Sequence, residues 1–133
     1  MRAMWSSVAL AVLAVGCRDE PLPAVKPPGP ETVSLEQVIS EPARFDGVLI
    51  TVSGIARIEF EGNALYSSQV GFDRRDNAHA LWLNLGWPVS KDILALSGEE
   101  IVADARVDAT NHGHMGAYAA SLTDIQNITR FLK

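Results

Sequence analysis

Apolar residues follow three patterns along this chain, and each pattern marks a different kind of segment. From Trp5 to Val15 they run almost unbroken, with Ser6 and Ser7 the only polar members. Between residues 18 and 33 they thin out among Pro21, Pro23, Pro27, Pro28 and Pro30. That composition cannot bury a core and favours extended, polyproline-like chain. From residue 34 onward apolar and polar positions alternate in ways that predict a short helix followed by strands. Ser34 and Gln37 have the spacing of a capping box, and Leu35, Val38 and Ile39 share one helical face. Pro42 limits that helix, and Asp46-Gly47 supplies a turn. A first strand is predicted over 48–60, where Val48, Ile50 and Val52 alternate with Leu49, Thr51 and Ser53; Gly54 in its interior suggests a bulge or sharp bend. Glu61-Gly62-Asn63 turns into a second strand over 64–70, and a polar loop spans 71–77. The third strand, 78–85, alternates Leu81, Leu83 and Leu85 with Trp82 and Asn84. Ser90 can cap a small helix over 91–96 that Gly98 ends. The fourth strand, 100–110, puts Ile101, Ala103, Ala105 and Val107 on one face. The last begins near Ala117 and passes Leu122; beyond it Ile125 and Ile128 stand three apart, a spacing that fits a strand or a helical turn equally.

Three strands, a short helix and two more strands, with a long bent first strand, is the order of the OB-fold, a five-stranded Greek-key barrel. Helix, Asp-Gly turn, Val-Leu-Ile-Thr-Val-Ser-Gly strand and the later Ile-Val-Ala-Asp-Ala-Arg-Val strand together resemble bacterial envelope OB-fold proteins, over most of residues 34–128. The fold class is therefore mainly β, with an open antiparallel β-sandwich as the alternative. At 133 residues there is room for one domain. The expected division is a leader over 1–16, a tether over 17–33 and the barrel over 34–133.

The first apolar run, at roughly 11 residues, is too short for the ~20 that span a bilayer and fits the ~7 to 15 of a signal-peptide core. Arg2 precedes it, and it ends in Leu13, Ala14, Val15, Gly16, Cys17. This run resembles the lipobox of bacterial lipoproteins, although Ala14 occupies a place where leucine is more usual. The resemblance implies cleavage before Cys17, a diacylglyceryl group on its thiol and acylation of its amine; two or three chains anchor stably where one does not. Cys17 is the only cysteine, so the barrel has no disulfide and no thiolate metal cage. Arg18 stands where an aspartate is usually taken to retain lipoproteins in the inner membrane, so the resemblance implies an outer-membrane anchor facing the periplasm.

The net charge is -5, and about -6 once Arg2 is removed, a sign that opposes phosphate backbones. The one basic pair of the domain, Arg74-Arg75, is flanked by Asp73 and Asp76, so nucleic acid is not an expected partner. Candidate chemistry concentrates in Asn111, His112, Gly113, His114, Met115, Gly116, the loop before the last strand, where OB-folds commonly bind ligands. His112, His114, Tyr118 and Trp82 are the candidate ligand-binding residues. Imidazoles two apart in an extended segment point the same way, so His112 and His114 are also candidate ligands for a divalent metal, with Asp73, Asp76 or His79 available to complete the set. Glu59 and Glu61 read as a solvated face. No nucleophile elbow or phosphate-binding glycine loop is present. Two functions follow: a lipid-anchored, non-catalytic module that meets an envelope protein or small ligand and needs no cofactor, or a metal-dependent hydrolase built on the histidine loop.

Overall fold

The computed structural model describes residues 29–132; the leader, Cys17 and most of the proline-rich segment lie outside them. The capping box at Ser34 is formed. Ser34 Oγ accepts from the Gln37 N–H at 3.1 Å while Gln37 Oε1 accepts from the Ser34 N–H at 3.4 Å, starting α1 (Leu35–Ser40), which buries Leu35 and Val38. Pro42 ends α1 as expected, but it also opens a further turn, α2 (Pro42–Phe45), because proline at a first helical position loses no hydrogen bond. Residues just ahead of Ser34 also join the barrel. Glu31–Thr32 forms a short strand, β1, parallel to the first barrel strand, and Val33 is buried with its N–H donated to Thr51 O.

Five strands then close on themselves: β2 (Leu49–Arg57), β3 (Ala64–Tyr66), β4 (Ala80–Leu83), β5 (Glu100–Asp108) and β6 (Ala120–Arg130). β2 pairs antiparallel with both β3 and β5, β3 with β4, and β5 with β6; the parallel pair β4–β6 completes the ring. The parallel pair needs a long return path, supplied by α4 (Lys91–Leu94) and β5. This is the OB-like barrel, and its closure rules out the open sandwich. The two clearest alternations in the sequence line its interior: Ile50, Val52 and Ala56 from β2, and Ile101, Ala103, Ala105 and Val107 from β5. Leu81, Leu83 and Leu122 join them.

Gly54 is not a bulge. The β2–β5 register runs without a shift from Leu49↔Arg106 to Ile55↔Glu100. Glycine is required there by close approach, since a Cβ would stand 2.7 Å from the Tyr66 carbonyl oxygen. The bulges lie instead in β6, where the pairing with β5 slips twice, between Asp104 and Arg106 and between Val102 and Asp104. Asp124 (φ 50°) and Asn127 (φ 54°) take the left-handed conformation that such bulges use, and both residue types tolerate it. Each slip inserts one residue, so Ile125 and Ile128 face the core three apart rather than two. Asn127 Nδ2 also donates to Asp104 Oδ2, and Asp104 accepts from Thr51 Oγ1; these two bonds, the threonine's first, hold the Asp104 carboxyl below its ordinary range.

The second strand stops at Tyr66, short of the expected residue 70. Ser68 Oγ accepts from the Gly71 N–H and starts α3 (Gln69–Arg74), where a loop was expected, and Arg75 in the left-handed region ends it. Phe72 of α3 packs edge-on against Tyr66 at 5.8 Å. A second apolar cluster forms here outside the barrel: Ala64, Tyr66, Ala80 and Tyr118, with Phe72 and Trp82 against them.

Candidate functional site

Alternation along β4 sends Leu81 and Leu83 into the barrel and Trp82 outward. Two loops converge on its indole. The first, residues 58–63, is pinned from below: Ser97 Oγ accepts from the Ile58 N–H at 2.9 Å, and Asn63, almost fully buried, accepts from the Glu59 N–H through Oδ1 at 3.1 Å. Glu61 turns at φ 58°, and Phe60 is left 66% exposed.

The second loop, residues 109–119, is closed by a reciprocal pair. Tyr118 N–H donates to His112 O at 3.0 Å, and His112 Nδ1 lies 2.9 Å from Tyr118 O. A carbonyl oxygen only accepts, so Nδ1 carries the proton. The buried Ser121 hydroxyl donates to Asn111 O at 2.8 Å, and Asn111 Oδ1 accepts from the Gly113 N–H, an Asx turn. Gly113, at φ 69° and ψ -160°, occupies a region that is essentially glycine's alone. It lies directly on Trp82, where a Cβ would come within 2.6 Å of the tryptophan's Cβ and Cγ.

The expectation that His112 and His114 point the same way is therefore corrected. The positive φ of Gly113 breaks the extended alternation on which it rested, so His112 bonds back to its own loop. His114 instead stacks on Trp82, ring centres 6.3 Å apart and planes at 28°. His79 pairs with Asp76 at 3.0 Å. Among the described residues no three His, Asp or Glu side chains gather as metal ligands. Tyr118 is also not an open stacking platform. It is buried against Trp82 at 5.2 Å, and burial pushes its phenol above the usual range. Its role is to back the indole.

The loops meet where His114 Nε2 approaches Glu61 Oε2 at 3.8 Å. Between them lies a groove of about 170 Å³, lined by Phe60, Trp82, Trp87, His114 and Leu85, with the buried Asn63 and the exposed Glu61. Phe60 and Trp87 touch each other at 5.8 Å, and Met115 stands 86% exposed at the tip of the second loop. Larger hollows around α1, of about 330 and 430 Å³, are lined mainly by Ser34, Glu36, Ser53, Glu100 and similar polar groups. Their linings are mostly polar, whereas that of the smaller groove is mostly apolar.

Glu59 and Glu61 thus do different things. Arg75 donates to Glu59, and that bond holds the Glu59 carboxyl below its usual range and raises Arg75 in turn. A pair this exposed adds little stability, but it takes the Arg75 charge out of play. Glu61 is the groove's own carboxylate. Phe60 and Trp87 are the functional candidates that the residue patterns undervalue, although a large aromatic side chain inside a Glu-Phe-Glu-Gly or Gly-Trp-Pro turn is itself a signal.

Gly113→Ala is expected to destabilise the protein by about 3 kcal/mol, combining a forbidden backbone conformation with overpacking against the indole. Urea unfolding followed by tryptophan emission measures it. A loss under about 0.5 kcal/mol, the range of neutral surface changes, would show that the loop does not rest on Trp82 as described. No protein family, curated protein or solved structure matches this chain.

Proposed function

We propose that this chain is a cell-envelope lipoprotein, anchored by lipid on Cys17 in the outer membrane and facing the periplasm, whose OB-like barrel is a non-catalytic binding module. One observation carries the binding reading. The loop after the first barrel strand and the loop before the last meet over Trp82 and enclose an aromatic groove, at the place where OB-like barrels bind ligands. Phe60 and Trp87, both lining the groove, are large apolar groups left in water, the mark of a surface that is covered in use. The proline-rich segment between Cys17 and the barrel, by its composition, is suited to supply reach from the membrane. Among the described residues no helix is long and apolar enough to cross a bilayer, so attachment in this reading rests on the lipid. Nucleic acid is a poor fit, because the protein is acidic, Arg75 is paired with Glu59, and Arg57 lies over Phe72.

Trp82 and Trp87 are the only tryptophans beyond the leader, and both line the groove, so tryptophan emission reports its occupancy. The full chain, purified in mild detergent, is titrated with envelope extract separated into small-molecule and macromolecular fractions. The expected result is a saturable change in emission with one fraction, lost in Phe60→Asp. Silence with every fraction would count against a binding module.

A further inference from the structure

We infer that the groove around Trp82 takes a small organic cation of the alkylammonium class. The inference rests on the groove being the binding face and names what it binds. Three aromatic side chains, Phe60, Trp82 and Trp87, line a space of about 170 Å³ together with a carboxylate, Glu61. Ring faces carry negative potential, so several of them beside a carboxylate favour a bulky, weakly hydrated cation; aromatic cages for quaternary ammonium groups use the same chemistry. No lysine or arginine lines the groove; its one basic side chain is His114, 3.8 Å from Glu61.

Other small ligands fit less well. An anion is opposed by Glu61 and by a net charge of -5. A sugar needs several convergent hydrogen-bond partners, and of the polar groups at this groove Asn63 Oδ1 already accepts from the backbone of Glu59. The neighbouring outer face of the sheet, moreover, already holds one cation in this manner. The Arg57 guanidinium sits 4.0 Å above the Phe72 ring and 5.7 Å from that of Tyr66.

The test follows the indole N–H signals of Trp82 and Trp87 by NMR, using the full chain in non-ionic detergent. The probes are choline and 3,3-dimethylbutan-1-ol, its neutral isostere, with sodium chloride holding ionic strength constant. Choline is expected to shift both signals saturably and to bind about tenfold more tightly than the isostere, the scale of a partly desolvated cation–π contact. Glu61→Gln, an exposed and isosteric change, is expected to weaken choline several-fold and leave the isostere unaffected. Equal binding of the two probes, or no effect of Glu61→Gln, would overturn the cation and leave the groove as an apolar binding face. Absence of any choline shift, in a protein whose emission still responds to an envelope fraction, would overturn it as well. A response to phosphatidylcholine vesicles without one to free choline, phosphatidylglycerol vesicles serving as control, would overturn the small solute in favour of a lipid head group.

Discussion

Gly54→Ala is expected to cost about 3 kcal/mol or more, enough to remove a large part of the stability of a domain this size. An added Cβ would meet the Tyr66 carbonyl oxygen at 2.7 Å, Leu65 Cγ at 2.9 Å and Leu35 Cδ2 at 3.0 Å. None of these neighbours can retreat cheaply. The Tyr66 backbone is held in register against Ile55 and Ala80, so moving its oxygen opens the β2–β3 and β3–β4 pairings together. Leu35 is the first residue of α1 and is buried. On its other side Gly54 pairs with Ile101 of β5, which closes the barrel. The roughly 0.5 to 1 kcal/mol that alanine recovers from the lower entropy of the unfolded chain does not offset an overlap with fixed backbone. Equilibrium urea unfolding with tryptophan emission measures the change. A midpoint within error of the wild type would mean that β3 does not approach β2 as closely as described.

Gly54 also shows where sequence reasoning reaches its limit. Its presence inside a long strand signals something unusual, but a glycine that relieves a bulge and a glycine that admits a neighbouring backbone look identical in one dimension. The barrel interior was easier to read. Ile50 and Val52, and Ile101 to Val107, belong to strands buried on one face only, and that geometry writes itself as a period of two. The capping box at Ser34 was equally legible, because its chemistry lies within four residues. What stayed hidden involves exceptions to period. Two bulges in β6 convert the alternation into the spacing of Ile125 and Ile128, and α3 is too short for helical periodicity to accumulate before Arg75 ends it.

The site was legible in part for related reasons. Trp82 declared itself by alternating with Leu81 and Leu83, and the His112 to Tyr118 segment by its composition. That Glu61 meets His114 depends on tertiary closure across 53 positions, which no local pattern encodes. The expectation that both imidazoles point the same way missed one dihedral. Gly113 at φ 69° turns the two imidazoles to different partners.

The second large effect concerns Cys17, the chain's only thiol. If it carries lipid, Cys17→Ser removes the acceptor outright, and no other side chain can replace a thiolate in forming the thioether. The change is expected to be all or none: the wild-type protein partitions with membranes and the variant does not, because residues after Cys17 contain no apolar run long enough to hold a bilayer. The folded barrel is expected to be unchanged, since residue 17 is separated from Glu31, the first residue of β1, by the proline-rich segment. Urea midpoints of the two proteins should therefore coincide.

A membrane-held binding module is tested most directly by growing cells with a labelled fatty acid and recovering the protein for N-terminal mass analysis. The predicted result is label in the wild type, on a chain that begins at Cys17 and carries a diacylglyceryl group there, and no label in Cys17→Ser. An unlabelled wild-type protein, or label that persists in the variant, would contradict it.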